Sequence, residues 1–161
     1  MKRLYIIRHA KSSWSDMGID DFDRGLNKRG RLDAPMMALR LKDRGVIPDV
    51  ILSSSAKRAK KTAKIIADVI GFSKKVKFED SLYDVLPSKL HSKIKKIKNK
   101  HNTAFVIGHN PELNMLASDY IGFNENIVTC GILEIEFECD KWGEIGSENA
   151  KFVSYDYPKK S

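Results

Sequence analysis

Arginine and histidine residues follow three apolar segments of the chain that are typical of buried strands. Arg8 and His9 come directly after "LYII", Arg58 lies four residues beyond "DVILSS", and His109 ends "NTAFVIGH". The carboxyl ends of parallel strands meet at the same edge of a sheet, so we expect these four side chains to lie close together. Packing does not explain Arg58, because it falls outside the apolar stripe of its predicted helix.

Two arginines and two histidines form a set suited to a phosphoryl group. A guanidinium donates paired hydrogen bonds to phosphoryl oxygens, and one histidine can attack phosphorus to form a phosphorylated intermediate. Nearby cations lower the pKa of that histidine and so keep it neutral, as a nucleophile must be. This chemistry predicts no metal and no other cofactor. Each residue alone would be interpreted as a surface cation or a structural histidine, and their grouping is what favours a site.

Strand-like and helix-like patterns alternate along the chain, which predicts a mostly parallel sheet with helices on both faces. The predicted fold class is therefore α/β, a three-layer α/β/α sandwich in a single domain over residues 1–161. In "GILEIEFE", three glutamates alternate with apolar residues, which predicts one buried and one solvated face. The predicted strands cover residues 3–8, 49–54, 74–79, 102–109, 131–138 and 151–157, and the helices cover 27–44, 55–70, 88–100 and 110–121.

The chain is basic, with 29 Lys and Arg against 21 Asp and Glu and a net charge of +8. Such a balance favours phosphorylated, acidic or nucleic-acid ligands. The helical lysines fall on the predicted solvent sides without interleaved aromatic residues, so we do not expect a nucleic-acid partner. No segment has the length of a membrane span or the form of a secretory signal, so we expect no membrane partner and a cytoplasmic location. Cys130 and Cys139 are too few for a disulfide framework.

Three motifs, present in order, resemble the histidine phosphatase superfamily, which has the phosphoglycerate mutase-like fold. They are "RHA" at residues 8–10, "SSSAKRAKKTA" at 53–63 and "GHNP" at 108–111. The longer segments "RHAKSSW" and "DFDRGLNKRGRLDAP" are more closely similar to the small SixA-type phosphohistidine phosphatases. The resemblance extends from Lys2 to about Phe137.

The resemblance implies a role for each residue that matches these motifs. His9 corresponds to the nucleophile, and Arg8, Arg58 and His109 correspond to the phosphate pocket. Arg24, in "DRGLNKRG", corresponds to a further phosphate contact, although a loop cation near a helix start is the plainer interpretation. A phosphorylated protein or a small phosphorylated molecule is the implied partner, and phosphate or sulfate is expected to occupy the site.

The proton donor is less well specified than the pocket. Many members of the superfamily place an acid in the turn after the third strand, where "SLYDV" offers Asp84. A phosphoramidate leaving group is readily protonated, so a SixA-type enzyme has less need of a dedicated acid. Trp14, in "KSSW", is expected either to wall the cleft or to pack under its loop.

Three functions remain open on the sequence. The first is a metal-independent protein phosphohistidine phosphatase that acts through phosphorylated His9. The second keeps the site and changes the substrate to a small phosphoester such as a sugar phosphate or a nucleotide, because a fold does not choose a substrate. The third, supported only by the basic composition, is a non-catalytic nucleic-acid-binding domain.

Overall fold

The central sheet of the computed structural model, which describes residues 1–14 and 18–160, has six strands. They lie in the order β3–β2–β4–β1–β5–β6, with β1 to β4 parallel and β5 and β6 added as antiparallel strands at one side. The mostly parallel sheet predicted from the sequence is thereby confirmed. The strands are β1 (Lys2–Arg8), β2 (Val50–Ser54), β3 (Lys77–Glu79), β4 (Thr103–Gly108), β5 (Ile132–Phe137) and β6 (Ala150–Asp156).

Helices cover both faces of this sheet, which gives the predicted three layers. The α-helices are α1 (Lys28–Asp43), α2 (Lys57–Ile70), α3 (Pro87–Lys95) and α4 (Glu112–Ile121). Short 3-10 helices cover Asp21–Asp23, Asp80–Leu82 and Trp142–Glu144. Within the described residues, no helix combines the length and the apolar character that a membrane crossing requires.

Two apolar cores, one on each side of the sheet, hold the layers together. Successive side chains of a strand point to opposite faces, so β1 contributes to both cores. Leu4 and Ile6 pack in the core with α3 and α4, whereas Tyr5 and Ile7 pack in the core with α1 and α2. The continuous apolar run at residues 4–7 is thus explained by burial on both faces, as expected of a parallel-type central strand. This rigid strand carries Arg8 and His9 at its end.

The sequence-based prediction for β5 was wrong in one respect. Its alternating glutamates were expected to face solvent, but Glu134 is only 5% exposed. The Glu134 carboxylate accepts charged hydrogen bonds from Arg3 on β1 and from Arg44 after α1, the latter at 3.3 Å. A buried carboxylate is tolerated when its charge is paired and hydrogen-bonded in this way. Part of this alternation therefore marked an ion-pair cluster, in which the buried Glu134 is paired with partly exposed arginines.

A close backbone approach fixes the loop that follows β1. Gly30, in the first turn of α1, lies so near this loop that a Cβ atom there would be 2.2 Å from the carbonyl oxygen of Lys11. The loop also forms a bridge between Ser12 and Leu26, and the Asn27 amide donates to the Lys11 carbonyl at 3.0 Å. Only glycine permits this contact, which ties the loop after His9 to the start of α1.

Candidate active site

A cleft of about 730 Å³ opens at the carboxyl ends of β1, β2 and β4. This is where the ligand site of an open α/β sheet is expected. Arg8 lies at the end of β1 beside Gly108, the last residue of β4, so the two histidines that follow these strands come together. The ring centroids of the histidines are 5.1 Å apart. The residues that line the cleft include Arg8, His9, Arg24, Arg58 and His109, five of the six site residues predicted from the sequence.

The geometry of His9 leaves one ring nitrogen, Nε2, without a hydrogen-bond partner among the described residues. Its Nδ1 atom lies 2.7 Å from the carbonyl oxygen of Ala10. A carbonyl oxygen only accepts hydrogen bonds, so Nδ1 must carry the proton and donate it. In the neutral ring, Nε2 is then unprotonated and holds a lone pair. The Ala10 carbonyl thus selects the tautomer in which Nε2 can act as a nucleophile.

His109 is held through its other ring nitrogen, Nε2, whereas His9 is held through Nδ1. Its Nε2 atom lies 2.8 Å from the hydroxyl oxygen of Ser54, the last residue of β2. That hydroxyl accepts the amide of Ala56 and still has one proton and one lone pair, so it can pair with either neutral tautomer of His109. When the hydroxyl donates to Nε2, the Nδ1 atom of His109 carries the ring proton. A neutral His109 in this tautomer is a hydrogen-bond donor rather than a second nucleophile.

Three buried donors around the cleft have no hydrogen-bond partner among the described residues. They are Nδ1 of His109 and the Nε atoms of Arg8 and Arg58. Buried polar atoms are nearly always paired in folded proteins, so a cluster of three at one site requires an explanation. All three belong to residues that line the same cleft. Phosphoryl oxygens accept hydrogen bonds from N–H groups of this kind, and the donor set therefore fits a phosphoryl ligand.

The site contains a carboxylate that sequence reasoning missed. One oxygen of Asp21 accepts from Arg58 at 3.0 Å and the other from Arg24 at 3.0 Å, while the Asp21 backbone carbonyl accepts from Arg58 at 2.6 Å. These bonds fix the direction of both guanidinium groups. The acid run "DDFD" was the available signal, but such runs are usually solvated.

Tyr83 completes the group around Asp21. Its hydroxyl donates to the Asp21 carboxylate at 2.6 Å, and its ring packs edge-on against His109 with centroids 5.5 Å apart. The hydrogen bond from Tyr83, followed by those from the two arginines, holds the pKa of Asp21 well below its usual range. Asp21 therefore stays ionised and keeps its hydrogen bonds to the arginines. Nothing in the local sequence around Tyr83 predicts this contact, which spans 62 residues of chain.

Arg24 and Trp14 form one wall of the cleft. The guanidinium carbon of Arg24 lies 3.5 Å from the centre of the Trp14 ring, a stacked cation–π contact. Arg24 also donates to the hydroxyl of Ser12 at 2.5 Å, which holds it against the loop after β1. The Trp14 ring remains 75% exposed. Of the two expectations for Trp14, the structure shows the one in which it walls the cleft.

Asp84 is the one predicted site residue that does not line the cleft. It is exposed, in the turn after the 3-10 helix Asp80–Leu82, with a left-handed backbone φ of 53°. A different carboxyl, Glu112 in the first turn of α4, is buried beside His109 along the wall of a neighbouring small cavity. Burial, and then the charge of Asp84, raise the pKa of Glu112. The proton-donor role of Asp84 thus gains no support from its position.

The two histidines are strongly biased toward their neutral forms. The pKa of His9 is lowered from 6.5 to about 3, first by burial and then by the nearby charges of His109, Arg58 and Arg8. The pKa of His109 is lowered to about 4, again first by burial and then by Arg58. A neutral His9 ring at neutral pH agrees with the tautomer that its hydrogen bond to the Ala10 carbonyl selects. The electrostatics therefore favour a nucleophilic His9.

We expect the His9 ring to titrate near pH 3 rather than 6.5, as measured by the ring C–H chemical shifts in an NMR titration. Its folded-state pKa lies below the unfolded value, so the unfolded chain binds more protons between these two values. The free energy of unfolding should therefore fall as pH decreases from 6.5 toward 3. The urea-unfolded chain is the control and should titrate near the ordinary value. A folded-state His9 signal that titrates at 6.5 would contradict the predicted neutral nucleophile.

Comparison with known proteins places this site in a family. The model of the histidine phosphatase superfamily (branch 1) matches residues 4–115, more than two-thirds of the chain. A chloroplastic protein of Arabidopsis thaliana is 33% identical over 152 residues, covering 89% of this chain and 70% of its own length. A protein of Mycobacterium tuberculosis is 32% identical over 111 residues, covering 69% of this chain and 67% of its own.

Solved structures agree with the sequence matches. A protein of Agrobacterium tumefaciens, provisionally named phosphohistidine phosphatase SixA, is 26% identical and superposes with a TM-score of 0.85 over 98% of both chains. The protein histidine phosphatase SixA complexed with tungstate has the same fold, with a TM-score of 0.82, 19% identity and 97% coverage of both chains. The chain therefore belongs to the histidine phosphatase superfamily, and it is a phosphatase with a SixA-type fold.

Proposed function

We propose that this protein is a metal-independent phosphohistidine phosphatase that acts on phosphorylated histidine in proteins. The observation that carries the proposal is the neutral His9 ring, whose Nδ1 donates to Ala10 and whose Nε2 is left free. Around it lie the N–H groups of Arg8, Arg58 and His109 that have no partner among the described residues. A nucleophile surrounded by cationic and neutral hydrogen-bond donors suits phosphoryl transfer. In that reaction the main catalytic task is to stabilise the negative charge on the phosphoryl oxygens.

The first step forms one bond and breaks one. The Nε2 lone pair of His9 attacks phosphorus, while the bond from phosphorus to the imidazole of the substrate breaks and its electron pair stays on that imidazole. Arg8, Arg58 and His109 hydrogen-bond the transferring oxygens and stabilise their charge. The departing imidazole takes a proton from solvent water at the open side of the cleft as it leaves. Since imidazole is readily protonated, this step needs a dedicated acid less than the loss of a sugar alkoxide does.

The second step restores the enzyme. Water attacks phosphorus, the bond from phosphorus to Nε2 of His9 breaks and its electron pair returns to Nε2. Inorganic phosphate, which keeps a proton of the attacking water or loses it to solvent, is released. Splitting the reaction into two steps lets the same donors stabilise both transition states. Asp21 takes part only by holding Arg24 and Arg58 in position, because its carboxylate is occupied by their N–H groups and by Tyr83.

Two observations support a protein as the substrate. The catalytic-type side chains are buried at the base of the cleft, while its outer wall is open, with Trp14 75% exposed. A phosphorylated side chain presented by another protein can therefore reach His9. The mutual coverage of 98% with the Agrobacterium SixA-type protein also indicates that a similar set of elements frames both sites.

A small phosphoester is the second candidate substrate. The volume of the cleft, about 730 Å³, falls within the range typical of small-ligand pockets. Lys11, which also lines the cleft, could pair with a second anionic group on a sugar phosphate or a nucleotide. The two candidates share the His9 chemistry and differ in how the rest of the substrate is bound.

Phosphate release from three substrates in EDTA tests the proposal. They are a phosphohistidine-bearing protein, p-nitrophenyl phosphate and a sugar phosphate. We expect kcat/KM to be roughly tenfold or more higher for the phosphoprotein, with no loss in EDTA. A preference for the sugar phosphate would favour the second candidate, and inhibition by EDTA would contradict the metal-independent mechanism. No release from the phosphoprotein by folded enzyme would overturn the proposed substrate.

A further inference from the structure

A basic groove of about 430 Å³ lies beside the cleft, between α2 and the loop that leads into α1. We call it the lysine groove. Its floor includes Gly25 and Leu26, the two residues directly after the cleft residue Arg24. The cations that line it are Arg31, Lys57, Lys60, Lys61 and Lys64.

The lysine groove is unbalanced in charge. Among the described residues, no carboxylate lines it, and none of its lysines forms an ion pair with a carboxylate. The lysines recur at spacings of three and four along α2, so all four face the same side of the helix. Like charges at these spacings disfavour a helix, and here no acid lining the groove relieves them. An anionic partner would relieve the repulsion, whereas solvent alone only screens it.

The lysine groove adjoins the cleft both in sequence and in space. Lys57 directly precedes Arg58 on α2, and its terminal methylene packs against Gly25, 3.5 Å from where a Cβ atom would lie. From Lys57 to Lys64 the helix advances by about 10 Å. An extended peptide covers that distance in about three residues. A chain with its phosphorylated residue in the cleft could therefore lay the adjoining residues along these lysines.

We infer that the lysine groove docks an acidic polypeptide segment of the substrate protein, close in sequence to the phosphorylated residue. The inference rests on the proposed function, and it adds a selectivity determinant outside the chemical site. Aspartate and glutamate side chains match the row of lysines in charge and in spacing. A single-stranded nucleic acid fits less well, because no described residue that lines the groove is aromatic, and the nearby Phe78 ring is already covered by the ammonium groups of Lys60 and Lys64, at 5.1 and 5.8 Å from its centre.

Charge reversal of the groove tests the inference. The groove variant carries Lys60→Glu, Lys61→Glu and Lys64→Glu, and leaves Lys57 intact because of its contact with the cleft loop. The matched control carries Lys89→Glu, Lys96→Glu and Lys98→Glu, an equal charge change at exposed positions on and just after α3. Circular dichroism and thermal unfolding check that both variants fold.

Three substrates separate docking from chemistry. The first is a phosphohistidine peptide with four flanking acidic residues. The second is the same peptide with asparagine and glutamine in place of aspartate and glutamate, and the third is free phosphohistidine. For the acidic peptide, we expect the groove variant to show a KM raised roughly tenfold at low salt with kcat unchanged, and a smaller effect at high salt. Activity on free phosphohistidine should be unchanged, and the control variant should behave as the wild type.

The outcomes distinguish this inference from the proposed function. Equal KM values for the groove and control variants on the acidic peptide would overturn the docking role and leave the proposed function intact. If the wild type releases phosphate from none of the three, the proposed function fails. Calorimetric titration with the unphosphorylated acidic peptide then tests the docking role of the groove by itself.

Docking is supported if the wild type binds this peptide and the groove variant does not. Docking is overturned if the wild type does not bind the peptide, or if the groove variant loses affinity only for a single-stranded RNA oligonucleotide.

Discussion

We expect His9→Ala to lower phosphate release on the order of 10⁴-fold or more, because the substitution removes the group placed to form the covalent intermediate. The free Nε2 of His9, fixed by the bond from Nδ1 to Ala10, is the physical basis of this expectation. Turnover of the phosphohistidine-bearing protein and of p-nitrophenyl phosphate, each in EDTA, measures the effect. His101→Ala is the control, since His101 precedes β4 at the opposite end of the sheet.

The intermediate itself gives a second readout for His9. Brief incubation with radiolabelled substrate and an alkaline detergent quench, which preserves phosphoramidates, should leave label on the wild type and on His101→Ala. His9→Ala should retain no label. Turnover by His9→Ala equal to that of the wild type would rule out the covalent mechanism. Label that remains in His9→Ala would show that another residue accepts the phosphoryl group.

We expect Arg58→Ala to lower kcat by about 10² to 10³, the usual loss when one donor to a developing oxyanion is removed. Arg58 is 5% exposed, and its Nε is one of the three buried donors without a partner among the described residues. The substitution also removes two of the hydrogen bonds that hold Asp21. Steady-state kinetics on p-nitrophenyl phosphate at fixed pH measure the loss.

One further variant separates charge from geometry at position 58, and a second serves as the control. Arg58→Lys keeps the charge and loses the planar fork, so it should recover only part of the lost rate. Arg44→Ala is the control, because Arg44 pairs with Glu134 away from the cleft and Arg3 still neutralises that carboxylate. Full recovery by lysine would show that charge alone matters. A loss in Arg44→Ala as large as in Arg58→Ala would point to a general loss of folding.

Local sequence patterns were sufficient to predict the framework of this phosphatase and most of the predicted site residues that line its cleft. Apolar periodicity is local information, so the strand predicted at residues 102–109 is found as Thr103–Gly108. Parallel strands place their carboxyl ends at one edge, so Arg8, His9, Arg58 and His109 could be assigned to one site from their positions in the sequence. The resemblance to the histidine phosphatase superfamily added Arg24, which the structure also places in the cleft.

The way these groups are held depends on tertiary contacts that no local pattern encodes. Asp21 contacts Arg58 and Tyr83 across 37 and 62 residues of chain, so its organising position in the site was not predictable. Glu134 has the spacing of a solvated residue, yet neighbouring elements bring two arginines to it and bury it. Asp84 has the expected position in sequence but is exposed outside the cleft. The types of the residues determine the chemistry that is available. Their charge pairing and solvent exposure depend on tertiary contacts with residues that are distant in the sequence.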